Sequence, residues 1–222
     1  MKKLEIACFN YESALIAQQG GANRVELCAS YQDGGLTPDS ETVNQTLSNL
    51  HIEVYVMIRP RAGNFVYSPV EFEAMKTSII QLKAIGVHGF VFGILDPDAE
   101  VNLLQNSELV QLANPLPCTF HRAFDRTTNP QKALEQIIHC GFKTILTSGA
   151  KPNAMDGILT LNTLLEMAQN RITLMPGGGV RSSNINSLCS QVNTTWYHSS
   201  AITDNSDMAN LQEVKALKAE LA

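Results

Sequence analysis

At 222 residues, 44% of them hydrophobic and 17% charged, with no Gly/Ser-rich or Pro-rich stretch to act as a linker, the chain reads as one globular domain over 1–222. Sixteen Lys and Arg against 21 Asp and Glu give a net charge of −5, and the basic residues form no stripe, which argues against nucleic acid as a partner. Glu5, Asn10 and Glu12 interrupt any leader-like apolar core, and no apolar run approaches the roughly 18–20 residues of a membrane helix. A cytosolic protein is expected, and its five cysteines, odd in number and without CxxC spacing, then read as free thiols.

The recurring unit is an amphipathic stretch, a glycine, and a short β-rich run. Residues 14–19 lead through Gly20-Gly21 into 24–28, residues 79–85 through Gly86 into 90–92, and residues 133–139 through Gly141 into 144–146. Glycine there is the expected left-handed helix cap. Completing the pattern predicts strands near 3–8, 24–28, 52–59, 88–94, 116–121, 143–147, 172–176 and 195–199, with helices between them and a closing helix over 207–221. Strict alternation implies parallel pairing with right-handed crossovers, so the predicted fold is a (βα)8 barrel of the TIM type, with a doubly wound sheet as the alternative.

Charged residues within barrel strands are cheapest pointing inward or toward the mouth. That criterion selects Glu5, Glu26, Arg59 and His121, with His198 as a further candidate. Cys8 and Cys28 end the first two strands, where two thiolates could serve Cu(I); strand alternation puts Cys28 on the side of Glu26 and Cys8 on the other unless the chain turns. Pro60 stops the third strand beside Arg59 and Arg61, whose guanidinium groups suit an anion, a buried pair of Arg59 with Glu26 being the structural alternative. In Thr119 to Asp125, His121 and Asp125 supply the ingredients of an oriented acid or base. Gly177, Gly178 and Gly179 follow the seventh strand, and Ser199 and Ser200 the eighth, the position at which barrels commonly hold phosphate; a tight turn is the plainer reading.

Taken in order, EIAC at 5–8, GANRVELC at 21–28, GGLTP at 34–38, MIRPR at 57–61, TFHRAFD at 119–125, LTSG at 146–149 and MPGGGV at 175–180 resemble the CutC family. The resemblance implies a (βα)8 barrel, a cytoplasmic location, oligomers in some members and a role in copper homeostasis, with Cu(I) bound by the thiols that fall on Cys8 and Cys28. It also exposes a departure, because only residues 202–206 separate the HSSA stretch from the closing helix, where many relatives carry a longer segment. Two functions therefore stand side by side: a Cu(I)-binding homeostasis protein, and an enzyme acting on a small anionic or phosphorylated metabolite with Glu26, Arg59, Arg61, His121 and Asp125 at its mouth.

Overall fold

The computed structural model describes residues 2–222. Among these, eight strands alternate with eight α-helices: β1 (Lys3–Cys8), α1 (Tyr11–Gln19), β2 (Arg24–Leu27), α2 (Ser40–Asn49), β3 (Glu53–Met57), α3 (Pro69–Ile85), β4 (Gly89–Phe92), α4 (Leu103–Ala113), β5 (Cys118–Phe120), α5 (Pro130–Cys140), β6 (Thr144–Thr147), α6 (Ile158–Ala168), β7 (Thr173–Pro176), α7 (Ser182–Gln191), β8 (Trp196–Ser199) and α8 (Leu211–Glu220). The ladders are parallel and run β7-β6-β5-β4-β3-β2-β1-β8. At the remaining seam the Thr194 hydroxyl donates to the Leu174 carbonyl at 2.6 Å, and Gly177 of the β7 end packs against His198 of β8. The expected (βα)8 barrel forms, nearly closed.

Local chemistry explains the boundaries. Ser68 Oγ accepts from the Glu71 amide while the Glu71 carboxylate accepts from the Ser68 amide, a capping box that starts α3 with Pro69 in its first turn. Gly86 (φ +98°) and Gly141 (φ +93°) end α3 and α5 in the left-handed conformation, as the sequence pattern predicted. β3 stops at Met57, because the Arg59 amide leaves the ladder and donates to Thr37 Oγ1 at 2.8 Å. The closing helix starts at Leu211, four residues later than predicted, where Asn210 accepts from the amides of Gln212 and Glu213.

Strand alternation then sorts the side chains. Leu4, Ile6, Cys8, Val25, Leu27, Val54 and Val56 point outward and pack with the helices in one large core, each such aliphatic contributing about 1.5–3 kcal/mol. The opposite parity, including Glu5, Glu26, Tyr55, Met57, Thr119 and His198, fills the barrel interior. No described helix is long and apolar enough to cross a membrane.

Candidate active site

The register of β1 with its two neighbours assembles the barrel floor. Glu5 pairs with Arg24 on β2 and with His198 on β8, so three inward side chains share one layer. Arg24 Nε donates to Glu5 Oε2 at 2.5 Å, and His198 Nδ1 lies 2.7 Å from Glu5 Oε1. The Arg24 guanidinium is sandwiched between the rings of Tyr55 and Trp196, 4.0 Å from each centroid. One layer higher, Glu26 Oε2 stands 3.8 Å from His198 Nε2, while Glu26 Oε1 is buried without a hydrogen-bond partner.

Burial and charge set these groups apart. Burial would raise Glu5, but Arg24 and His198 hold it below the ordinary carboxylate value. Burial opposes the charged form of His198, yet the hydrogen bond it donates to Glu5 and the charges of Glu26 and Glu5 carry it above the usual imidazole value. Burial lifts Glu26 to about 7 against the pull of His198. A carboxyl half-protonated at neutral pH beside a histidine oriented by a second carboxylate is equipped to give or take a proton.

Above this floor opens a cavity of about 1150 Å³; of the residues predicted for the site, Glu5, Cys8, Cys28, Arg61 and Gly177 do not line it. On its β5–β8 side, Arg122 lies against Gly178, whose φ of +93° and missing Cβ admit the guanidinium: an added Cβ would stand 3.0 Å from Arg122 Cζ. Arg126, Arg181, Gly179 and Ser200 line the same side. The Gly178 and Gly179 amides donate to no backbone acceptor among the described residues, whereas the Gly177 amide is taken by the Thr147 carbonyl at 3.0 Å. Ser199 Oγ donates to the Val180 carbonyl and accepts from the Ala201 amide, so it serves the turn. The start of α7, next to these glycines, is occupied from within the chain: Glu213 accepts from both the amide and the hydroxyl of Ser182 at 2.7 Å. What this side leaves available to an anion is arginines and two glycine amides, not a helix end.

The remaining predicted residues divide. His121 and Arg59 are buried and line the cavity. Arg59 does not meet Glu26; its guanidinium donates to the carbonyls of Asp33, Gly35 and Gly63. Arg61 is turned away, binding Glu71 at 2.5 Å and the carbonyls of Ala62, Asn64 and Val66. Asp125 does not orient His121. It accepts from Thr147 Oγ1 and the amides of Ser148 and Ala150, and from Arg122 Nε at 2.8 Å, so its role is to fix Arg122 in the mouth. Burial, reinforced by the charge of Arg59, depresses His121 to about 3, which removes it from acid–base chemistry near neutrality. Cys8 belongs to the outer core and Cys28 to an inner cluster with Tyr55, Met57 and Val91. Both thiols are pushed well above the ordinary value, by burial first and by Glu26 next. No group of three or more His, Cys, Asp or Glu among the described residues could hold a metal ion.

The sequence reading passed over Arg122, Arg126 and Arg181. Arg122 carried a signal, since it lies between His121 and Asp125 in a short turn at a strand end.

A model of the CutC family matches residues 2–203. The chain belongs to the CutC family. A CutC family protein of Photorhabdus laumondii is 46% identical over 201 residues, covering 90% of this chain and 80% of that protein. The human copper homeostasis protein cutC homolog is 40% identical over 198 residues, covering 89% and 72%. The solved CutC structure from Streptococcus agalactiae superposes with a TM-score of 0.87 at 31% identity, over 91% of this chain and all (100%) of that one. Phosphoribosyl anthranilate isomerase from Thermotoga maritima, at a TM-score of 0.67 and 16% identity, shares the fold. The family match ends at residue 203, just after the HSSA stretch.

Proposed function

We propose that the protein is a cytosolic barrel enzyme that holds a small phosphorylated metabolite in its mouth and moves a proton with Glu26 and His198. The observation that carries this reading is the unpartnered, buried Oε1 of Glu26 below an open cavity, in a carboxyl raised to about 7. Structural carboxylates are normally satisfied, as Glu5 is by Arg24 and His198. Glu5 keeps the proton of His198 on Nδ1 and the ring fixed, and His198 Nε2 then works with Glu26 on a substrate group between them and the cavity. Arg122, fastened by Asp125, supplies the phosphate contact with the Gly178 and Gly179 amides. The five free, buried cysteines accord with a reducing compartment.

The test is incubation with the metabolite pool of a bacterial cytosol, followed by untargeted mass spectrometry, for the unaltered chain and for Glu26→Gln. A phosphorylated compound consumed only by the unaltered chain supports the reading. Equal consumption by both, or none by either, refutes it.

Copper homeostasis, the role printed in the name of the human relative, is the second reading. The observation in its favour is Cys28, which sits on the inner face beside Glu26, with its amide donating to the Cys8 carbonyl at 2.8 Å. A two-thiolate site fits this arrangement poorly, since the Cys8 side chain belongs to the outer core.

A further inference from the structure

The β3–β5 side of the cavity carries a feature that neither acid–base chemistry nor the phosphate contact uses. Two buried polar atoms there have no hydrogen-bond partner, Arg59 Nε and His121 Nε2, and a third, Tyr67 Oη, faces only the Arg59 guanidinium. All three residues are at least nine-tenths buried, at 6%, 4% and 7% exposure. They are neighbours, with the Phe65 ring 5.0 Å from Arg59 Cζ and 4.8 Å from the His121 ring, and with Tyr67 beside the Arg59 guanidinium.

Their chemistry is one-sided. His121 Nδ1 accepts from the Ala123 amide at 3.3 Å, and the imidazole, depressed to about 3, is neutral, so its single proton sits on Nε2. The free nitrogen of His121 is thus a donor. Arg59 Nε is a donor by nature, and the Tyr67 hydroxyl can donate. Arg59 also has no carboxylate within ion-pair reach among the described residues; only carbonyl dipoles meet its charge. The acidic residues on the rim are committed elsewhere, Asp33 to the Ser30 hydroxyl and Asp96 to the amides of Asp98 and Glu100. A buried cation with unpaired donors around it is costly unless an anionic acceptor completes it.

We infer that Arg59 and His121 form a second, carboxylate-binding subsite, separate from the phosphate pole at Arg122 and Gly178, so that the ligand of this cavity is a phosphorylated carboxylic acid. The inference rests on the proposed function for its phosphate pole and on different atoms for its carboxylate pole. His121 and Arg122 are consecutive in the chain, which keeps the two poles within reach of one small molecule. Glu26 and His198 then lie below the carbons that join the two anionic groups.

The probes are lactate for the carboxylate alone, inorganic phosphate for the other pole, and 3-phosphoglycerate for both. Histidine ring NMR of the unaltered chain should show the Nε2–H tautomer of His121 at neutral pH, with that proton moving downfield on adding lactate or 3-phosphoglycerate. His121→Phe, which keeps an aromatic ring against Phe65 and loses the donor, should weaken both carboxylates by about tenfold or more and leave phosphate within about twofold; His121→Gln, which restores a donor, should recover part of the loss. A His121 resonance that ignores both carboxylates overturns the inference, and so does a His121→Phe variant that binds them as the unaltered chain does. If phosphate fails to bind while lactate still moves His121, the phosphate pole of the proposed function falls and the carboxylate subsite stands.

Discussion

The two sides of the barrel mouth use buried charge in opposite ways. Around β8, β1 and β2 the groups answer one another: Arg24 to Glu5, Glu5 to His198, His198 to Glu26. Around β3 and β5 they do not, since Arg59 meets only carbonyls and His121 leaves Nε2 bare. Removing a member of the first set strands a charge inside the protein, whereas removing a member of the second removes a demand that the protein itself does not meet. Stability is therefore expected to concentrate on the first side and, on the inference above, carboxylate recognition on the second.

The sharpest way to break this contrast is Glu5→Gln. It leaves Arg24 and His198 buried with no anion between them, and a loss of about 3–5 kcal/mol is expected, read as the free energy of urea unfolding. His121→Phe, equally buried, should cost far less by the same measurement. Equal losses would erase the distinction between the two sides.

Glu26 gives the next largest effect, with a sign that follows from its raised value. Its folded-state pKa of about 7 lies above the ordinary carboxylate value of 4.5, so the folded chain holds a proton that the unfolded chain releases first. Stability from this group is fully present below about 4.5 and is lost as pH rises through 7, at most on the order of 3 kcal/mol. His198, also raised, adds a loss in the same direction as pH climbs through its folded value. Glu26→Gln should flatten the fall in stability between pH 5 and 8, leaving only the His198 contribution; an unchanged slope in urea titrations across that range would show that Glu26 is not the group responsible.

The cysteines sharpen the inside-versus-outside contrast at smaller cost. Cys8→Ser puts a hydroxyl into the outer apolar core, where a loss of about 1–3 kcal/mol is expected, with little change in Cu(I) affinity measured by chelator competition. Cys28→Ser, on the inner face, should remove whatever Cu(I) binding the chain has. Should both variants lose affinity by more than about tenfold, the thiols converge on the metal despite their separate packing, and the copper reading displaces the enzyme.

How much of this was legible in the sequence follows from what one strand can say about itself. Alternation within β1 and β2 was enough to turn Glu5 and Glu26 inward and to separate Cys28 from Cys8, because parity is a local property. Helix ends at Gly86 and Gly141 were legible for the same reason. Pairing was not. That Glu5, Arg24 and His198 share a layer depends on the registers of β1 with β2 and with β8, the latter closing a gap of 193 residues. Asp125 lies four residues from His121 in sequence, yet the short turn over Arg122–Arg126 carries it to the amides of Ser148 and Ala150. Proximity in sequence suggested the wrong partner because a turn reverses direction within a few residues.

Arg61 should show the smallest effect, and it tests whether position in the motif or position in space decides function. It follows Arg59 by two residues and was expected to share its direction, an argument that holds only while the strand continues. The strand does not continue past the Arg59 amide, and Arg61 instead swings out to Glu71 and to the carbonyls of Ala62, Asn64 and Val66. Its side chain is 36% exposed, so its ion pair is screened by solvent and contributes little to stability. Arg61→Ala should lower the melting temperature only slightly and leave phosphate affinity within about twofold, whereas Arg122→Ala should weaken phosphate by about tenfold or more, both read by isothermal titration. If Arg61→Ala instead matches Arg122→Ala, the 61–66 loop folds over bound anion and Arg61 enters the site from the direction the sequence first suggested; if neither variant weakens phosphate, the arginine side of the mouth is not an anion site.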